Sequence, residues 1–197
     1  MLTSKPVGGL ILGITFALLA IFAGAGAVEA KLGQDFQTYR TATLKAWKPA
    51  GESKSGTDTN YRYQMPEDVK QQQISPGYAV GLTITVSGGK ISGQSLAIRV
   101  GANPIGGGLL SALQGFAFAY ESLGKPVPTR KDQLDFQFKA FSGAVTQAFL
   151  GQAQILRYPG YPGKITLSKD SIGNLIIAVT PENPLPAAQK PAAPTTH

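Results

Sequence analysis

The chain has 197 residues with 24 Gly and 14 Pro, and its 18 Lys and Arg outweigh 11 Asp and Glu for a formal net charge of +7. It holds no cysteine, and its only histidine is His197 in a Pro/Ala-rich tail, which excludes disulfides, thiolate metal sites and cysteine nucleophiles and argues against histidine-dependent catalysis. The basic residues are scattered, without a run of five and without interleaved aromatics, so they read as solvated surface and no nucleic-acid partner is expected.

The first element is an uncharged run from Pro6 to Val28, rich in Leu, Ile and Phe. As a helix it spans roughly 34 Å, enough to cross a hydrocarbon core. Two readings of residues 1–30 follow. Lys5 supplies a short positive start and Val28-Glu29-Ala30 suits signal-peptide cleavage after Ala30; uncleaved, the same run is a signal anchor. Gly9 and Gly13, extended by Ala17, form a small-residue step that lets two such helices pack closely in a bilayer. Beyond Ala30, the residues Leu32, Phe36, Tyr39, Thr43 and Trp47 recur four, three, four and four apart, which predicts an amphipathic stem helix over 31–48 stopped by Pro49. The stripe continues the membrane-type run and tips the balance toward the anchor. Phe36, Tyr39 and Trp47 are its candidate partner surface.

Residues 49–76 open with PAGESKSGTDTN, polar and rich in Gly, Ser and Thr, and are expected to form a linker. Within it Tyr61, Tyr63 and Met65 re-enter structure, and MPEDVKQQQ suggests a short helix from Pro66. A compact domain is expected over 77–181. Val80, Leu82, Ile84 and Val86 alternate with small or polar residues, as do Leu96, Ile98 and Val100, which predicts a β-hairpin with Gly88 and Gly89 near its tip. Leu109, Leu113, Phe116, Tyr120 and Leu123 then trace a helix ended by Gly124. A second helical stripe runs through Leu134, Phe138, Phe141, Val145, Phe149 and Leu156, although DQLDFQF also alternates like a strand. After the turn-forming YPGYPG, the segments KITLS and LIIAVT predict a second hairpin. Residues 182–197 form a Pro/Ala-rich tail expected to be disordered or extended. The fold class expected is therefore α+β: an N-terminal helix and stem, then two hairpins flanking two helices as a four-stranded antiparallel sheet.

Three clusters invite a chemical reading. The stretch GANPIGGG lies between a strand and a helix, so the N–H groups of Gly106, Gly107 and Gly108 are a candidate anion-binding loop, although it lacks the GK[ST] ending of a P-loop. Asp132 and Asp135 read as acidic bias in a helical first turn. Ser92 with Lys90 is selected by nothing beyond residue type. No catalytic, cofactor-binding or metal-ligating residue is assigned. The expectation is a single-pass, non-enzymatic membrane protein with an extracytoplasmic domain, a structural or assembly component of a cell-envelope complex. Its partners are then the membrane and either other envelope proteins or further copies of itself. The alternative is a secreted or periplasmic binding module released at Ala30, using the glycine loop for an anionic ligand.

Overall fold

A computed structural model of the chain describes residues 31–125, 128, 130–161 and 163–182. The expected membrane or signal helix with Gly9, Gly13 and Ala17, and the tail beyond 182, lie outside these residues. Among the described residues, no helix is long and apolar enough to cross a membrane.

The elements in chain order are α1 (Phe36–Thr43), a 3-10 turn (Leu44–Ala46), β1 (Lys48–Ser55), β2 (Asp58–Gln64), α2 (Val69–Ile74), β3 (Ala79–Ser87), β4 (Lys90–Arg99), α3 (Pro104–Leu123), α4 (Lys131–Phe149), β5 (Gln154–Arg157), β6 (Gly163–Lys169) and β7 (Leu175–Pro181). All strands join one antiparallel sheet in the order β1-β2-β3-β4-β7-β6-β5. The sheet is thus two meanders, β1 to β4 and β5 to β7, joined at a central seam where Ile98 faces Leu175 and Leu96 faces Ile177. The α3–α4 hairpin carries the chain from the seam to the far edge.

This overturns the four-stranded expectation. The two anticipated hairpins are β3–β4 and β6–β7, but β1, β2 and β5 extend the sheet to seven strands. β1 and β2 lie in the stretch that reads as a linker. Every residue of β1 is exposed, so its side chains show no alternation and only the backbone ladder to β2 holds it. The edge is guarded by Pro49, by Lys48 and Lys54, and by a bulge between Pro49 and Gly51.

The stem helix is also corrected. Asp35 caps α1, its carboxylate accepting the Thr38 N–H at 2.8 Å, but the α-helix ends at Thr43. The 3-10 turn then redirects the chain, and Pro49 becomes part of an edge strand, where its missing N–H is tolerated. α2, capped by Asp68, follows β2.

One sheet face is covered by helices. Val80, Leu82, Ile84, Leu96, Ile98, Ile165, Leu167, Leu175, Ile177 and Val179 all point into the core, as period-two alternation requires. At the β3–β4 tip, Gly88 and Gly89 take φ values of 56° and 79°, the paired left-handed conformations a two-residue hairpin turn demands. α1 contributes Phe36, whose ring stacks on Tyr61 with centroids 4.3 Å apart. α3 lies over the central seam and α4 over β5 to β7.

Candidate functional site

α3 and α4 form an antiparallel pair whose facing surfaces change character along their length. Toward the C-terminal end of α3, large rings fill the interface: Phe116 meets Phe138 and Phe141 edge-on, each at 5.6 Å between centroids, and lies 4.4 Å from Tyr120. Toward its N-terminal end the facing residues shrink to Gly108 and Ala112 on α3, and Ser142 and Thr146 on α4. These pairs recur four apart, so each helix turns the same narrow face to its neighbour.

The missing volume is a groove of about 690 Å³. Phe138 and Val145 line it along α4, Phe149 and Leu150 line it at the end of that helix, and Leu109 lines it from α3. Val100 and Gly101, just past β4, and Gly173 in the β6–β7 turn also line it. No lining residue is charged. The two hydroxyl groups donate to their own helix, Ser142 to the Lys139 carbonyl at 3.1 Å and Thr146 to the Ser142 carbonyl at 3.0 Å. The walls therefore offer hydrocarbon, two committed hydroxyls and small residues. Such a surface favours an apolar guest and supplies neither an acid, a base nor a metal ligand.

The glycine run GANPIGGG forms the first turns of α3 rather than an open loop. Asn103 caps it, its side-chain oxygen accepting the Gly106 N–H at 3.0 Å and its carbonyl accepting the Gly107 N–H at 2.8 Å. The Gly106 and Gly107 N–H groups are thus taken by the cap residue, and that of Gly108, the fifth residue of the helix, belongs to the helical ladder. The three glycines differ in what surrounds them. A Cβ on Gly106 would lie 2.8 Å from Ile74, and one on Gly107 would lie 2.0 Å from the Val100 carbonyl oxygen, so both permit close packing, against α2 and against the residue that follows β4. A Cβ on Gly108 would meet nothing within 4 Å. Gly108 lines the groove.

The other sequence candidates are dispersed. Phe36 and Tyr39 are buried in the core, whereas Trp47 is half-buried beside it, the one member of that trio with substantial exposed surface. Burial raises the Tyr39 hydroxyl above its ordinary range, and the nearby Glu121 carboxylate adds to the rise. Asp132 pairs with Arg130 at 2.7 Å and Asp135 with Lys131, both on the exposed first turn of α4. The Ser92 hydroxyl donates to the Thr85 carbonyl at 3.2 Å, across a strand irregularity, while Lys90 is exposed. Among the described residues, no three His, Cys, Asp or Glu side chains gather in a way that holds a metal ion.

Compared with protein-family models, with curated proteins and with solved structures, the chain matches none. The site is therefore read from its own geometry. Sequence reasoning missed Ala112, Ser142 and Thr146. Their signal was present as small residues at helical spacing in two successive segments, but a void follows only when those two faces meet.

Proposed function

We propose that this protein is a non-enzymatic binding module of the cell envelope that holds the hydrocarbon part of an amphipathic ligand between α3 and α4. The observation that carries the reading is the groove of about 690 Å³ lined without a single charged side chain. That volume lies within the roughly 300–1,000 Å³ common for small-molecule sites. Transfer of hydrocarbon from water contributes about 0.8 kcal/mol per methylene, so ten buried methylenes supply about 8 kcal/mol before ordering costs. A chain of that length, rather than a short fragment, is the guest the groove favours. The uncharged run from Pro6 to Val28 supports an envelope location, with the domain either tethered or released after Ala30.

The test is titration of the purified full-length protein with a fluorescent fatty acid held below its micelle concentration. Binding should saturate, and Gly108→Trp should weaken it by about tenfold or more by filling the groove, with the unfolding midpoint held or raised. Saturable binding that Gly108→Trp leaves untouched places the guest elsewhere and defeats the proposal. Intact mass and alkaline extraction of membranes decide the tether: a soluble product beginning at Lys31 means release.

A further inference from the structure

We propose that the mouth of the groove is a docking surface for an anionic lipid bilayer, through which the hydrocarbon guest enters; the entry role rests on the groove being a binding site, whereas the docking does not. Three exposed aliphatic side chains lie on, or next in the chain or along the helix to, residues that line the groove. Ile105, one helical turn before the lining residue Leu109, is 86% exposed; Leu150, itself a lining residue, is 68% exposed; and Ile172, next to the lining residue Gly173, is 82% exposed. They account for three of the six large hydrophobic side chains that are exposed among the described residues. Scattered exposure needs no explanation, but convergence around an apolar opening does.

Each of the three is presented by a braced element rather than by slack chain. Ile105 follows Pro104 at the start of α3, behind the Asn103 cap. Ile172 sits in the β6–β7 turn, where the Asp170 carboxylate accepts the N–H groups of Ile172 at 3.0 Å and Asn174 at 2.8 Å, and the Asn174 side-chain amide at 2.8 Å. Leu150 caps α4, and the Lys169 ammonium donates to the Phe149 carbonyl at 2.8 Å. Holding three aliphatic side chains outward in this way suits insertion into a bilayer interface.

Charge favours an anionic surface. Arg99 ends β4 immediately before the lining residue Val100, its Nε donating to the Gly77 carbonyl at 3.0 Å, Lys169 ends β6 with its ammonium on the carbonyl of the lining residue Phe149, and the chain carries +7 overall. The carboxylate of Asp170, which adjoins Lys169, is turned to the donors of its own turn. Aliphatic groups at the boundary with cations beside them match the two attractions of an interfacial protein, apolar burial and attraction to anionic head groups. Opening a groove into that layer lets a lipid chain pass from bilayer to protein without crossing water.

The absence of native cysteine makes a site-resolved test direct. The full-length variants Ile105→Cys, Ile172→Cys and Thr57→Cys each carry an environment-sensitive dye, and are mixed with vesicles of phosphatidylglycerol and phosphatidylcholine or of phosphatidylcholine alone. Thr57 lies in the β1–β2 turn at the opposite end of the sheet, and so reports membrane recruitment through any other part of the chain. Dyes at 105 and 172 should brighten about twofold and shift to the blue on anionic vesicles, more than on neutral ones, while the dye at 57 stays silent. Silence at 105 and 172, or an equal response at 57, overturns the proposal. A concentration-dependent response without vesicles overturns it in favour of a second copy of the chain. The double variant Ile105→Asp, Ile172→Asp separates docking from guest binding: it should keep its affinity for soluble fluorescent fatty acid but load from labelled vesicles about tenfold more slowly. Unchanged loading defeats the entry role; failure of the soluble titration in the native chain instead defeats the groove reading.

Discussion

The two halves of the α3–α4 interface share one backbone arrangement and differ in side-chain volume. In the half built from Phe116, Tyr120, Phe138 and Phe141, rings pack on one another, Phe116 meeting Phe138 and Phe141 edge to face, and Phe138 forms the border with the groove. In the half built from Gly108, Ala112, Ser142 and Thr146, the same pair of helices stands over a cavity. A helix hairpin can therefore hold itself together at one end and remain open at the other, because aromatic packing fixes the spacing that small residues then fail to fill. The contrast sharpens to neighbouring residues at the start of α3. Gly107 brings the helix onto the Val100 carbonyl, whereas Gly108 faces open space.

The filled half should carry the stability. Phe141 is fully buried, and Phe141→Ala is expected to cost about 4 kcal/mol in urea unfolding. A loss below about 1 kcal/mol would erase the distinction between the halves. Gly107→Ala comes next, at about 3 kcal/mol, since the Cβ would sit 2.0 Å from a backbone oxygen that cannot swing aside. Gly108→Ala should do the reverse, stabilising by up to about 1 kcal/mol through helix propensity alone. Equal losses from these two glycine variants, measured by the same unfolding curves, would refute the assignment of one to packing and the other to the groove.

The smallest expected effect is acid sensitivity of the β6–β7 turn. Burial pulls the Asp170 carboxyl upward, but hydrogen bonds from Asn174, Ile172 and Gly173 outweigh it and hold the group below its ordinary value of 3.8. Because the folded value is depressed, the contribution to stability is present above the ordinary value and is lost as pH falls through the depressed one. The amide resonances of Ile172 and Asn174 should therefore move on acidification below about pH 4, and Asp170→Asn should abolish that titration. Resonances that hold still across this range would show that the carboxylate does not brace the mouth.

Legibility followed burial. The alternation of Val80, Leu82, Ile84 and Val86, and the spacing of Leu109, Phe116, Tyr120 and Leu123, announced β3 and α3 because each element buries one of its own faces. β1 hid because KPAGESKS buries nothing, and a strand held by its backbone leaves no trace in side-chain order. The stem was overread for the opposite reason. Phe36, Tyr39 and Trp47 all touch the core, but Trp47 reaches it from beyond the 3-10 turn, so a common destination mimicked a common helix.

In the candidate site, sequence marked Gly108 for its amide and the structure marks it for its missing side chain. Local periodicity marked four strands and the first long helix, since the direction of each side chain follows from 2.0 or 3.6 residues per repeat, but it left the start of α4 open to a strand and carried its stripe on to Leu156, which lies in β5. Tertiary structure decided that β7 returns beside β4, that three further strands extend the sheet, and that the small faces of α3 and α4 meet over a void. Those outcomes depend on which surfaces pack together across the chain, and a groove exists only as the space that two separately specified helices leave between them.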